Sequence, residues 1–271
     1  MFKTILVAYD GSAPARACAA LSAACAARWH ARMVLCCTLD VERLLIPVAT
    51  HPDAPFDILE TYRREAADVL IEQVRECRSS GMDCETMLCE EGTRDGILHG
   101  AADARADLIA IGTHGRSGAG RALLGSVTED VLRHSTLPVL TVRERSVLQP
   151  FRRIAVALDD SICAERALDF ALQIATEDAA GLHLFHLAGG GFDLSKASRR
   201  VPDSVPSVST YYEYDAGDAG LAICAFAERI KADLVAVGSH GRKGIARAFL
   251  GSVAETTVRH SPCPVLVARA A

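Results

Sequence analysis

Long apolar runs are missing from this chain of 271 residues. Apolar runs such as Ile5 to Ala8 and Leu108 to Ile111 fall far short of the roughly 20 apolar residues that a membrane-spanning helix needs, so no membrane partner is expected. Met1-Phe2-Lys3-Thr4 leads straight into a strand pattern with no visible secretory signal, and the expected location is the cytoplasm. Excess positive charge is missing too. The net charge is −5, which leaves no electrostatic footprint for a nucleic-acid backbone; the expected partners are small molecules or proteins. The ten cysteines show no C-x-x-C spacing. Cys18, Cys25, Cys36 and Cys37 lie in apolar or helical runs and read as reduced, buried thiols. Neither a G-x-x-x-x-G-K-[ST] loop nor a G-x-G-x-x-G turn occurs.

What the chain does contain is one glycine pattern, twice. Gly112-Thr113-His114-Gly115-Arg116 is followed by Gly125-Ser126, and Gly238-Ser239-His240-Gly241-Arg242 by Gly251-Ser252, so each copy reads G-x2-G-x9-G-S. The copies stand 126 residues apart at both ends (112 to 238, 125 to 251), and their flanks repeat from Asp107/Asp233 through Arg133-His134-Ser135 and Arg259-His260-Ser261. A whole module is repeated. With half of its residues apolar, the chain has the length for two domains, each with its own core, placed here at 1–144 and 151–271.

Each copy alternates apolar strand patterns with helical ones, which implies a parallel sheet of five strands. In the first half the strands are expected from Ile5 and at Met33 to Thr38, Cys84 to Leu88, Leu108 to Ile111 and Val139 to Val142. In the second they are expected at Ile154 to Leu158, Leu182 to Leu187, Val208 to Tyr214, Leu234 to Val237 and Val265 to Ala268. The early elements are offset by 149 (Asp10 to Asp159), the later ones by 126, so the first half carries about 23 extra residues between its second and third strands. They hold a Pro-rich loop and an amphipathic helix from about Phe56 to Cys77; in the second half this helix is shortened or absent. The last strand of each half is expected near the interface between the halves, forming an internal pseudo-dimer, because an uncovered apolar edge invites aggregation.

The glycine frame suits phosphate. Gly112 and Gly238 end buried strands, and a side chain at Gly115 or Gly241 would block phosphate from the backbone. Gly125-Ser126 and Gly251-Ser252 open helices that run on through Val127 and Val253, where unpaired amides carry partial positive charge and the Ser hydroxyl can cap the helix or donate to a phosphate oxygen. In an open parallel sheet the ligand crevice lies at the carboxyl ends of the strands where strand order reverses, which joins Asp10 to Gly112. Asp10 and Asp159 suit hydroxyl or amine donors of a nucleoside, although an Asp before Gly-Ser or Asp-Ser is also a turn former. His183 and His186 are three apart on a strand, point to opposite faces and cannot share a metal ion. Lys196, Arg199 and Arg200 read as a solvated face.

On these residues the sequence resembles the universal stress protein family in its tandem two-domain form. The resemblance rests on Ile5-Leu6-Val7-Ala8-Tyr9-Asp10-Gly11-Ser12, on Asp107 through Arg116, on Gly125-Ser126-Val127 with Pro138-Val139-Leu140, and on the matching set in the second half. It implies two flavodoxin-like α/β domains of the Rossmann-like, adenine nucleotide alpha hydrolase-like type, each with a five-stranded parallel sheet of order 3-2-1-4-5 and helices on both faces. It further implies packing through the last strands and ATP, with or without Mg²⁺, at the switch point. On that resemblance Asp10 and Asp159 contact adenosine, and Thr38 and Leu187 line the adenine pocket. Gly112, Gly115, Gly125, Ser126 and Val127, with Gly238, Gly241, Gly251, Ser252 and Val253, hold phosphates, and Arg116 and Arg242 reach the outer ones. Asp160 stands where the first half has Gly11, which makes the second site the less secure. The expected function is a nucleotide-dependent regulator or interaction module with protein partners and, beyond the internal pseudo-dimer, a homodimer. No catalytic residue or metal site is expected. The alternative is a slow ATP hydrolase or phosphotransferase with His114 or His240 as base.

Overall fold

A computed structural model describes residues 1–41, 58–79, 81–113, 124–143, 150–187, 192–214, 217–240 and 250–269. The first half runs β1 (Thr4–Ala8), α1 (Ala13–Trp29), β2 (Arg32–Thr38), α2 (Ile58–Ser79), β3 (Glu85–Cys89), α3 (Thr93–Asp103), β4 (Leu108–Gly112), α4 (Ser126–His134) and β5 (Val139–Val142). The second runs β6 (Arg153–Ala157), α5 (Ile162–Asp178), β7 (Gly181–Leu187), α6 (Leu194–Ser198), β8 (Val208–Glu213), α7 (Ala219–Arg229), β9 (Leu234–Gly238), α8 (Ser252–His260) and β10 (Val265–Ala268).

The short apolar runs become strands because both of their faces are covered. Every residue of β1, β4, β5 and β10 is buried, as a parallel sheet between two helical layers requires. Helix α1 buries Ala15, Cys18, Ala19, Leu21, Ser22, Cys25, Ala26 and Trp29, a stripe at three- and four-residue spacing. Its start is set by Ser12, whose Oγ accepts from Ala15 N–H at 3.3 Å, and Ser161 does the same for α5 from Ala164 at 3.2 Å. In the second crossover α6 has five residues where α2 has 22.

All ten strands form one sheet of order β3-β2-β1-β4-β5-β10-β9-β6-β7-β8. Each half therefore has the expected 3-2-1-4-5 order, and the two are joined where β5 and β10 pair antiparallel with Leu140 opposite Leu266. Arg143, just after β5, donates to Ser261 O at 3.1 Å and to Arg259 O at the carboxyl end of α8. Arg269 returns the contact, donating to Leu132 O of α4 at 2.6 Å. Burial lowers the pKa of both guanidiniums from its usual value, yet each still faces carbonyls at a helix carboxyl end, where a cation is favoured.

One inter-half contact has no symmetric twin. Asp178, at the end of α5, has a fully buried side chain. It accepts from Arg28 Nε at 3.0 Å, Trp29 Nε1 at 3.0 Å and Phe151 N–H at 3.0 Å. Trp29 is the position that matches Asp178 in the repeat, so the two copies of one site face each other as different residues.

Candidate functional site

The end of β1 turns sharply into α1. Ser12 N–H donates to Asp10 Oδ1 at 3.0 Å, so this carboxylate forms the turn as well as facing the crevice; Asp159 accepts from Ser161 N–H at the same distance. Gly11 needs its freedom, with φ of 77°. Asp160 takes that place without a positive φ, so the second half keeps the turn by a different backbone route.

The glycine frame behaves partly as expected. Gly125 is the N-cap of α4 and Ser126 its first residue, with no side-chain cap; Gly251 and Ser252 stand likewise on α8. The expected serine caps are therefore absent: the serines lie one position inside the helix, where a hydroxyl cannot reach the first-turn amides as an N-cap does. The amides of Ser126, Val127 and Thr128 belong to that first turn, which has no intrahelical acceptors. The N–H of Gly125 donates to Thr113 O at 2.8 Å, and that of Gly251 to Ser239 O at 2.8 Å, closing the stems of the loop in each half. Gly115, Arg116, His114, Gly241 and Arg242 lie outside the described residues.

Gly112 and Gly238 are glycine for a reason independent of ligand. A Cβ at Gly112 would come within 2.9 Å of the Pro14 carbonyl carbon, and one at Gly238 within 2.8 Å of Ala164 N. Both strands end against the first turn of the neighbouring helix, and a side chain there would push it away.

Two cavities lie at the carboxyl ends of the strands. The first-half cavity, of about 530 Å³, gathers Asp10, Thr38, Gly112, Gly125, Ser126 and Val127, all of them sequence-predicted. Tyr62, Glu65 and Ala66 from α2 and Thr93 from α3 also line it, and no motif in the sequence marks them. Tyr9 forms another part of its wall. Its hydroxyl donates to Gln73 Oε1 of α2 at 2.6 Å, and burial pushes its pKa up to about 12, so the phenol keeps its proton and pins α2 over β1. The second-half cavity, of about 270 Å³, is lined by Asp159, Leu187, Gly238 and Val253, but Gly251 and Ser252 do not line it. His240 lines it too, with Nδ1 3.1 Å from Ser239 Oγ.

The remaining candidates find ordinary roles. His183 packs beside Tyr211 and His186 faces Leu158 O, so the two histidines do go separate ways. Arg200 pairs with Asp169 on the surface. All ten cysteines are free. Burial pushes the thiols of Cys18, Cys25 and Cys263 up to about 12, far from the thiolate a nucleophile requires. Among the described residues no group of three or more His, Cys, Asp or Glu could hold a metal ion, and no helix is long and apolar enough to cross a membrane.

Comparison with known proteins agrees with this architecture. A universal stress protein of Mycolicibacterium smegmatis is 25% identical over 295 aligned residues, covering 98% of this chain and 96% of its own. One from Thermus aquaticus is 32% identical over 149 residues, 53% of this chain and all of that protein. The crystal structure of a universal stress protein from Archaeoglobus fulgidus matches with a TM-score of 0.78 at 25% identity, over 98% of each chain. The sequence profile of the universal stress protein family matches residues 1–143 and 194–269, and this chain belongs to that family.

Proposed function

We propose that the chain binds ATP in the first-half cavity and acts as a nucleotide-dependent stress-response regulator or interaction module rather than as an enzyme. The observation that carries this reading is the meeting, in one cavity of about 530 Å³, of Asp10 and Thr38 with Gly112 and the helix start Gly125-Ser126-Val127. A nucleotide needs two unlike surroundings, and both are present. Asp10 accepts from ribose hydroxyls and Thr38 borders the base, while the first-turn amides of α4 and the partial positive charge of its N-terminus meet phosphate. Gly115 and Arg116 complete the phosphate loop on this reading, and Mg²⁺, where present, arrives on the phosphate oxygens.

The same reading gives Asp159, Leu187, Gly238, Gly241, Arg242, Gly251, Ser252 and Val253 the equivalent places in the second half. That site is the weaker, because Leu187 offers a base edge no hydroxyl and, of the helix start, Val253 lines the cavity while Gly251 and Ser252 do not. The proposal takes the chain as two domains, 1–144 and 151–271, packed as an internal pseudo-dimer in the cytoplasm, with protein partners that read its nucleotide state.

The test is to denature freshly purified protein and identify the released small molecules by mass spectrometry, then to titrate ATP. Adenine nucleotide bound in the wild type and lost in Gly115→Val is the expected result; no adenine nucleotide, even with added ATP, overturns the reading. ADP formed on incubation with ATP and Mg²⁺, and abolished by His114→Ala, would make the protein an enzyme instead.

A further inference from the structure

The strand pair β2–β3 and the helix α3 bring three sulfur atoms to one place. A Cβ at Gly100 of α3 would lie 3.1 Å from Met87 Sδ and 3.2 Å from each of Cys36 Sγ and Cys89 Sγ. Met87 stands opposite Cys36 in the parallel register and Cys89 opposite Thr38, so all three side chains leave the sheet on the face that α3 covers. Glycine inside a helix is unfavourable, and at Gly100 it leaves the room that the sulfurs take. The second half fills the same place in another way. Phe185, Tyr211 and Phe226 stand at the positions of Cys36, Met87 and Gly100, and Phe226 packs on the other two rings at 4.6 and 4.9 Å between centroids. Apolar filling suffices there, whereas the first half gathers soft donors.

The spacing of the two thiols decides what can join them. Cys36 Sγ and Cys89 Sγ are 3.7 Å apart. A disulfide would have to draw them to about 2.0 Å, between residues that are not directly paired across the strands. A metal ion about 2.3 Å from each sulfur holds a pair about 4.0 Å apart at the angle of about 120° in three-coordination, so these thiols have only to part by about 0.3 Å. Among the described residues no His, Cys, Asp or Glu adds a third ligand to them, and the thioether of Met87 takes that place. Two thiolates and a thioether are the soft set that selects Cu(I) over harder cations. Cys36 is 1% exposed, but Met87 and Cys89 are partly exposed on β3, the outermost strand, so an ion enters from the sheet edge.

We propose that Cys36, Cys89 and Met87 form a three-coordinate site for a soft monovalent cation, Cu(I). Binding turns both thiols into thiolates and releases two protons to solvent. Burial holds both thiols above their usual pKa, so they keep their protons until the metal displaces them. Cys36 also borders the first cavity, but the three sulfurs converge on α3, and the site stands whether or not that cavity takes ATP.

The test is to titrate Cu(I), supplied without oxygen as the complex of a chromophoric chelator, with the full reduced chain. One Cu(I) per chain is drawn from the chelator. Cys89→Ser, at a partly exposed position, weakens it by about 100-fold or more and Met87→Leu by about tenfold, the two ends of the range for losing a group that only orients a metal ligand. Cys84→Ser, which breaks the other neighbouring thiol pair, with Cys77, leaves it unchanged. X-ray absorption at the copper edge counts three sulfurs in the wild type and two in Met87→Leu. A thermal melt of each variant confirms that it folds. No Cu(I) held against the chelator, full affinity in folded Cys89→Ser or Met87→Leu, loss in folded Cys84→Ser, or a nitrogen or oxygen shell around the copper overturns the proposal.

Discussion

The first-half cavity lies under α2, which supplies Tyr62 and Glu65 and is held down by Tyr9 and Gln73; the second-half cavity has a five-residue helix in that crossover and an apolar wall of Phe185 and Leu187. The strand register beneath them is the same. Val7 pairs with Leu35 in β1–β2 just as Val156 pairs with Leu184 in β6–β7. Sheet register is set by the apolar alternation and the shared core, whereas recognition is set by single side chains at strand ends and by crossover length. The match to the family profile skips 144–193, the segment that holds Asp159, Asp160, Phe185, His186 and Leu187. A fold can be kept through a stretch where its site chemistry has diverged.

Asp178→Ala strikes the least symmetric contact. Removing a buried carboxylate that Arg28, Trp29 and Phe151 all donate to should cost about 3 to 5 kcal/mol, read by denaturant unfolding; a loss below about 1 kcal/mol would mean that the other contacts between the halves hold them without it. Next, Thr38→Leu gives the first cavity the second cavity's residue and should weaken ATP by about tenfold in calorimetry, through a base edge left unpaired. Unchanged affinity would show that the strand-end hydroxyl is not what separates the cavities. Tyr9→Phe leaves buried Gln73 Oε1 without its donor and should cost about 1 to 3 kcal/mol, whereas Leu158, the matched residue, has no such bond to lose.

The smallest effect is at His99, which has Ala225 at its counterpart. Hydrogen bonding to Glu91, at 2.7 Å, raises the His99 pKa above 6.5. A folded value above the unfolded one makes the pair's contribution fully present below about pH 6.5 and lost as pH rises through the folded value. An NMR titration should place the His99 midpoint above that of free histidine and return it there in Glu91→Gln. A midpoint unmoved by that substitution would contradict the pairing.

Much of the fold is legible in the sequence because its signals are local. Apolar runs bounded by Asp-Gly-Ser or Gly mark β1, β4 and β9, and the Ser12 and Ser161 that follow cap the next helices. The repeat offset locates the long crossover and the helix within it. What escapes is tertiary. The amphipathic pattern of α2 cannot say that Tyr62 and Glu65 face the cavity, since that depends on how the helix crosses the sheet. Ser126 and Ser252 look like caps because Gly-Ser at the start of a helix fits either of two registers one residue apart. The sequence pattern assigns Gly112 and Gly238 to phosphate, while the cause of glycine there is the close approach of α1 and α5. The replacements of Thr38 by Leu187 and of Cys37 by His186 are visible in the aligned repeat, and setting strand two against its copy exposes the unequal walls from the sequence alone.

On the proposed reading one frame carries a nucleotide and its copy does not do so equally. Calorimetric titration of ATP into wild type, Gly115→Val and Gly241→Val tests it most directly. One tight ATP per chain is expected, lost in Gly115→Val and retained in Gly241→Val. Two equivalent ATP sites, none at all, or loss only in Gly241→Val would contradict it.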